Sequence, residues 1–133
     1  MGAIAELLAR FRGVRELEAR HLRRFGRPLA LATVSCDAAP LVDLDDPREL
    51  QRRKLRPSEV ATRTRSVTQR QAAAIFALPA QPAGVRWWST LESSWINVTL
   101  FDRVLASVEI AGVRALRLTD VEVRAASDFL GFR

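Results

Sequence analysis

The stretch GVRWWS at 84–89 places two tryptophans and a serine at the end of an apolar run. A large aromatic side chain left partly exposed beside a hydroxyl can form the wall of a site for a planar ligand ring. The alternative interpretation is purely structural: Ser89 forms a turn, and both tryptophans pack against the sheet. Because successive strand residues point to opposite faces, we expect one of Trp87 and Trp88 in the core and the other on the surface or in a cleft.

Two further polar residues lie where chemistry is possible. Glu6 flanks the apolar stripe of the predicted first helix, so it is either a solvated surface residue or a carboxylate beside a site. Asn97 interrupts an apolar run, and a buried amide at that position must find hydrogen-bond partners. Both residues therefore admit a structural and a functional interpretation.

The sequence holds a single cysteine, Cys36, and a single histidine, His21. An internal disulfide is therefore impossible. A zinc site would need at least two carboxylates to complete it, and no spacing suggests one. The lone histidine also argues against a Ser-His-Asp hydrolase. We predict no metal site.

The formal charge is +6, with 21 basic and 15 acidic residues. The arginines are scattered among acidic residues, which is typical of a solvated surface, although some could serve a phosphate-bearing ligand through their guanidinium forks. A positively charged chain could also be a nucleic-acid binder, and this hypothesis predicts an affinity for nucleic acid that falls steeply with salt. Beyond charge, no groove-reading helix or stacking platform supports it.

These candidate residues must be positioned by elements that the sequence pattern predicts in order. Ile4, Leu7, Leu8 and Phe11 have helical spacing. A second helical piece is predicted for about 14–24, followed by strands in RPLALATVSC and LVDL. DDPREL is a helix start capped by Asp45 or Asp46, and Ser58 is a second cap candidate, opening a long helical segment that ends near residue 78.

From Gly84 onward the pattern has the period of strands. We predict strands in GVRWWS, SWINVTLF, RVLASVEI and VRALRLTDVEV, with a hairpin turn at Ala111-Gly112. Helices first and strands late predict one α+β (mixed α/β) domain over 1–133. No stretch has the roughly 18 to 20 apolar residues of a membrane span, and no signal peptide is evident, so we expect a cytoplasmic protein.

Four segments in this order carry a family resemblance: AIAELLARFR, PLVDLDDPREL, QRQAAAIFAL and GVRWWSTLESSWINVTLF. Together they resemble the RES domain family, bacterial toxins of toxin-antitoxin systems that consume NAD. Gly84, Val85, Trp87 and Ser89 fill the family's Gly-Ile-x-aromatic-x-Ser segment, and Asn97, Leu100 and Phe101 fill the positions that follow it. The resemblance covers most of the chain up to Phe101, and its specificity lies in the order and spacing of short motifs.

The resemblance implies an ADP-ribosyltransferase-like sheet with flanking helices, and an activity on NAD as substrate. Breaking the nicotinamide–ribose bond builds oxocarbenium character, which a positioned carboxylate stabilises. Glu6 matches the family's glutamate, and Ser89 matches the serine that holds the ribose or the nicotinamide amide. Trp87 stands where the family usually has a tyrosine or a similar aromatic residue, which keeps the stacking and loses the phenol, and with Asn97 the resemblance assigns it to binding NAD. The reaction would be hydrolysis, phosphorolysis or ADP-ribosyl transfer.

The family pattern also has an arginine and a tyrosine upstream of the glutamate helix, and neither has a counterpart in the sequence. We therefore expect an N-terminally truncated RES-like domain: a late start, a fragment or a decayed copy. The resemblance implies an antitoxin partner with a helix-turn-helix DNA-binding part, and a homo-oligomer is possible. The alternative function is a non-catalytic remnant that still binds such an antitoxin.

Overall fold

The computed structural model describes residues 1–37 and 40–132, and it has the α+β composition that the sequence predicts. The chain forms two compact units. The first unit comprises Met1–Ser35 and Glu109–Arg133, and the second comprises Cys36–Val108.

The first unit contains two α-helices that pack against each other, α1 (Gly2–Leu8) and α5 (Val121–Leu130). A 3-10 turn, Ala9–Phe11, continues α1. The apolar residues that the helical spacing of α1 brings to one side include the buried Ile4 and Leu8, which confirms the first predicted helix. The buried residues of α5 are Val123 and Ala126.

Helix α5 replaces the end of a predicted strand. The segment DVEV alternates apolar and acidic residues as a strand does, but Val123, Ala126 and Leu130 follow helical spacing and are buried or half-buried. Asp120 stands at the N-cap, and Gly131 ends the helix in the left-handed conformation at φ 78°. The start and stop signals of a helix were therefore present in the sequence.

The helix predicted for 14–24 is wrong. The only helical part of that segment is a 3-10 turn, Ala19–Leu22, which Glu18 precedes in an extended conformation, with its backbone N–H donating to His21 Nδ1 at 2.9 Å. Two short antiparallel strands follow, β1 (Arg23–Arg24) and β2 (Arg27–Pro28). Their two-residue loop has positive φ at both positions, as in a type I′ hairpin turn.

The remaining strands of this region are β3 (Ala30–Cys36) and β7 (Val108–Ala115), which pair in a two-stranded sheet. We call this pair the β3–β7 ribbon. The predicted strand in RPLALATVSC is confirmed, but the hairpin turn at Ala111-Gly112 is wrong because β7 runs straight through it. The first five residues of the strand predicted in RVLASVEI lie in a 3-10 turn, Asp102–Ser107, and its last three residues begin β7.

The second unit is built on a three-stranded sheet in the order β4-β5-β6. Its strands are β4 (Leu41–Asp43), β5 (Gly84–Trp88) and β6 (Ile96–Leu100), which confirms the predicted strands in LVDL, GVRWWS and SWINVTLF. Strand β5 is central: β4 runs parallel to it, with Val42 opposite Val85, and β6 runs antiparallel to it.

Three helices belong to the second unit: α2 (Pro47–Arg53), α3 (Pro57–Val60) and α4 (Arg65–Phe76). The Asp46 carboxylate caps α2 by accepting the Arg48 N–H at 2.8 Å, as predicted. The Ser58 cap is wrong, since α3 already begins at Pro57, and the long predicted helix is two helices.

The core of the second unit joins these helices to the sheet. Its buried members come from the ends of strands and from one side of each helix, and Trp87 and Trp88 are partly buried against it. The six buried residues are Leu44, Leu50, Val60, Ile75, Val85 and Phe101.

Candidate functional site

The antiparallel register of β5 and β6 places Trp87 directly opposite Asn97. Directly opposed residues of an antiparallel pair have their side chains on the same face of the sheet, with Cβ atoms about 4.5–5.5 Å apart. The sequence placed these two residues ten positions apart, and the hairpin brings them together. An indole face and a side-chain amide therefore stand side by side, both half-buried.

The two tryptophans are less different than strand alternation predicts. Both are half-buried, and both pack against the core of the second unit. We expected one of them in the core and the other on the surface or in a cleft, and the expectation of one fully buried tryptophan is wrong. Each indole has one part in the core and one part exposed, which is the usual position of an amphipathic ring.

Ser89 continues the β5–β6 ladder beyond the last residue of β5. Its backbone N–H donates to the Trp95 carbonyl at 2.7 Å, and its Oγ accepts the backbone N–H of Leu91 at 3.0 Å. The residue is only 2% exposed. The hydroxyl therefore shapes the turn that follows β5, and a serine hydroxyl has one donor and two acceptor positions with which to do so.

Glycine is required at position 84, where β5 begins. A Cβ built on Gly84 would lie 2.0 Å from the Thr99 carbonyl oxygen, so no side chain fits between β5 and β6 at this pair. The close approach fixes the register in which Trp87 meets Asn97. The glycine of GVRWWS is thus a positioning residue for the hairpin.

An ion-pair cluster lies on the neighbouring strands, and the sequence patterns did not reveal it. Arg86 Nη1 lies 2.6 Å from Asp43 Oδ2 and 3.5 Å from Asp45 Oδ2. Burial, the largest single influence, raises the pKa of the Asp43 carboxyl, but the Arg86 hydrogen bond, the Asp45 N–H and the charge of Arg86 together hold this pKa below its usual value. The pairing depends on β4 and β5 being parallel neighbours, which the intervening forty residues conceal.

Glu6 lies on α1, in the first unit, whereas Trp87, Ser89 and Asn97 lie in the second. Its neighbours Ile4 and Ala5 are buried and Glu6 itself is exposed, so the side chain flanks the apolar stripe as predicted.

The described residues were also compared with the requirements of a metal site and of a membrane-spanning helix. No group of three or more histidine, cysteine, aspartate or glutamate residues among them could hold a metal ion, and none of their buried side-chain nitrogens or oxygens lacks a hydrogen-bond partner. No helix formed by these residues is both long enough and apolar enough to cross a membrane.

Comparison with known proteins identifies a family. The RES domain family model matches residues 1–120, which is most of the chain. No curated protein and no solved structure matches it significantly. The match includes α1 with Glu6 and the whole β5–β6 hairpin with Trp87, Ser89 and Asn97. The chain therefore belongs to the RES domain family.

Proposed function

We propose that this chain is a RES-type toxin domain that acts on NAD in the cytoplasm, at the bond between nicotinamide and ribose. The observation that carries the proposal is the family match over residues 1–120, which contains all four candidate residues. The products would be free ADP-ribose, a phosphorolysis product or an ADP-ribosylated protein.

In this proposal the β5–β6 hairpin binds the nicotinamide end of the dinucleotide. The half-buried indole of Trp87 supplies a flat apolar surface for the ring, and the opposed Asn97 side chain has both a donor and an acceptor for a carboxamide. Their cross-strand pairing supports the assignment, because ring and amide of the ligand are likewise adjacent. Trp87→Phe should keep most of the affinity for NAD, whereas Trp87→Ala should lose it.

Glu6 supplies the carboxylate that stabilises the oxocarbenium-like sugar as the neutral nicotinamide leaves. Its exposure on α1 leaves the carboxylate accessible to a ligand, which supports the role. Negative charge at this position acts on the transition state more than on the bound substrate, because the sugar becomes cationic only as the bond breaks. Replacing Glu6 should therefore lower mainly kcat and change KM for NAD much less.

Ser89 is proposed to hold the ribose or the amide of nicotinamide. The hydroxyl is almost fully buried and accepts the Leu91 N–H, so it can also act by fixing the turn beside Trp87. Two variants distinguish these roles. Ser89→Ala removes the hydroxyl and Ser89→Thr retains it. A loss of turnover in the alanine variant without a lower melting temperature supports contact with NAD, and a matching loss of stability supports the turn.

The deciding experiment measures NAD loss by the purified chain and by two glutamate variants. Glu6→Gln should lower turnover by at least about 100-fold, the cost of removing one transition-state charge contact. Glu16→Gln is the matched control, because Glu16 is an exposed glutamate of the same unit outside the four candidates. Unchanged turnover in Glu6→Gln would remove the assigned role.

The same assay separates the proposal from the alternative of a non-catalytic remnant. If the wild-type chain consumes no NAD but binds the protein encoded by the adjacent gene, the remnant is favoured. The proposal expects growth arrest on expression of the chain and rescue by co-expression of a partner with a helix-turn-helix DNA-binding part. Binding of the chain to DNA that weakens steeply with salt would instead favour a nucleic-acid binder.

A further inference from the structure

A groove of about 770 Å³ opens in the second unit between α2, α4 and the chain that follows α4. None of Trp87, Ser89 and Asn97 lines it, so it is not part of the candidate NAD site. Its lining residues are six apolar residues, three arginines and one glutamine. The residues are Arg52, Arg53, Leu55, Arg70, Gln71, Ala74, Ile75, Leu78, Pro79 and Ala80.

The floor of the groove is apolar. Ala74, Ile75 and Leu78 line it from α4 and the residues just after that helix. Leu55 and Leu78 are partly buried hydrophobic residues packed against the core of the unit. A ligand body lying on this floor would remove apolar surface from water, which is favourable in proportion to the area covered.

The basic residues of the groove differ in how far they are already paired. Arg52 and Arg53 both form ion pairs with Glu49, one turn back on α2. Arg70 forms no hydrogen bond or ion pair through its side chain with any residue in 1–37 or 40–132. The groove therefore carries excess positive charge, and Arg70 is its unpaired donor for a charge-assisted hydrogen bond.

The size of the groove favours a small molecule over a protein. Its volume lies within the roughly 300–1,000 Å³ of small-molecule sites. A standard protein interface uses about 20–30 residues a side, well above the ten residues that line this groove. An apolar floor with one unpaired cation fits a ligand with an apolar body and a single anionic group.

We propose that this groove binds a small amphipathic anion, with its apolar body on the floor and its carboxylate, sulfonate or phosphate at Arg70. The proposal is independent of the NAD-acting function, since it involves none of the four candidate residues. A site of this kind would link the domain to an acidic apolar metabolite rather than to a dinucleotide, whose sugars and pyrophosphate are too polar for the floor.

The test uses anilinonaphthalene sulfonate, a fluorescent probe with an aromatic body and one sulfonate, titrated into the full chain. Saturable one-to-one binding is expected. Ala74→Glu should raise Kd by at least about tenfold, because it fills the groove and repels the anion. Ala73→Glu is the matched control: it introduces the same charge at the preceding position of α4, an exposed residue outside the groove, and should leave Kd unchanged.

A second pair of variants tests the cation. Arg70→Gln should raise Kd about three- to tenfold, the range for losing one charge-assisted contact at a partly exposed site. Arg65→Gln, on the same helix and outside the groove, should not. Circular dichroism of each variant establishes that the probe reports on folded protein.

Three results would overturn the proposal. The first is no saturable binding by the folded wild-type chain. The second is equal weakening by Ala74→Glu and Ala73→Glu, which would mean that charge alone governs the probe. The third is an Arg70→Gln variant that binds as well as the wild type, which would leave an apolar groove without an anion site.

Discussion

Strands β5 and β7 have similar sequences and different surroundings. GVRWW and VEIAGVRA each combine valine, glycine and arginine with further apolar residues. Yet β5 is buried at its first two residues and half-buried at the other three, whereas β7 is exposed at every residue after Val108. Strand β5 lies between two partner strands and contributes Val85 to the core of its unit, whereas β7 has one partner strand and no buried residue.

The difference indicates where the fold tolerates change. A two-stranded ribbon gains little from burial, and isolated two-stranded hairpins are marginal in water. The β4-β5-β6 sheet supports its central strand from both sides and carries the candidate NAD-binding residues. Matched substitutions in β5 and β7 should therefore have unequal effects on the free energy of unfolding.

The largest difference is expected between the glycines of the two strands. Gly84→Ala would place a methyl group 2.0 Å from the Thr99 carbonyl oxygen, and the backbone must move to admit it. We expect a loss of about 3 kcal/mol or more, the upper range for overpacking. Gly112→Ala meets nothing within 4 Å and should be neutral or slightly stabilising.

Urea unfolding of both glycine variants measures the difference, with NAD turnover as a second readout. Because Gly84 fixes the register of Trp87 against Asn97, its alanine variant should also lose turnover. Equal stability of the two variants would mean that β6 moves away from β5 at little cost. The close approach would then have no role in positioning the hairpin.

A second, smaller difference is expected between the valines. Val85 is 7% exposed and belongs to the core of its unit, whereas Val113 is 63% exposed. Val85→Ala should cost about 1.5–3 kcal/mol, the contribution of burying a valine side chain. Val113→Ala should change stability by no more than about 0.5 kcal/mol. A shift in the urea midpoint for Val113→Ala as large as that for Val85→Ala would mean that the ribbon is covered in solution.

The contrast of β5 and β7 also shows what local patterns can predict. The strands in LVDL, GVRWWS and SWINVTLF were predicted correctly because their apolar runs end at clear breaks. The Ala111-Gly112 turn was wrong because a glycine permits a turn without requiring one. Gly112 is not among the glycines with positive φ, and β7 passes through it. Local patterns also gave no information on which strand has two neighbours.

Local patterns also predicted part of the candidate site, namely the part formed by residues that are close in sequence. Trp87 and Asn97 meet across a hairpin, so residues close in sequence became close in space. The pairing of Arg86 with Asp43 depends on a parallel connection that passes through α2, α3 and α4, and sequence spacing does not reveal it. The prediction of a helix over 14–24 was wrong because the hydrogen bond from the Glu18 N–H to the His21 side chain competes with helical hydrogen bonds.

The smallest effect on the free energy of unfolding is expected from ion pairs, because each of the two strands has an arginine that forms one. Arg86 pairs with Asp43, and Arg114 pairs with Asp120 and Glu122. The N–H of Arg117 is the main cause of the lowered pKa of Asp120, and burial opposes it while Arg114 lowers this pKa further. Since all of these groups are partly solvated, neither pair should distinguish the strands.

The test measures how the loss of stability caused by Asp43→Asn depends on pH. Because the pKa of Asp43 is lowered in the folded chain, its carboxylate stabilises the fold above its ordinary pKa of about 3.9, and this contribution disappears as the pH falls through the lowered value. Asp43→Asn should therefore cost no more than about 1 kcal/mol at pH 7 and less at pH 2, with Asp120→Asn changing in the same direction. Urea midpoints at both pH values measure this. If Asp43→Asn cost as much as Val85→Ala at pH 7, electrostatic pairing would hold β5 in place as firmly as burial does, and burial alone would no longer explain the difference from β7.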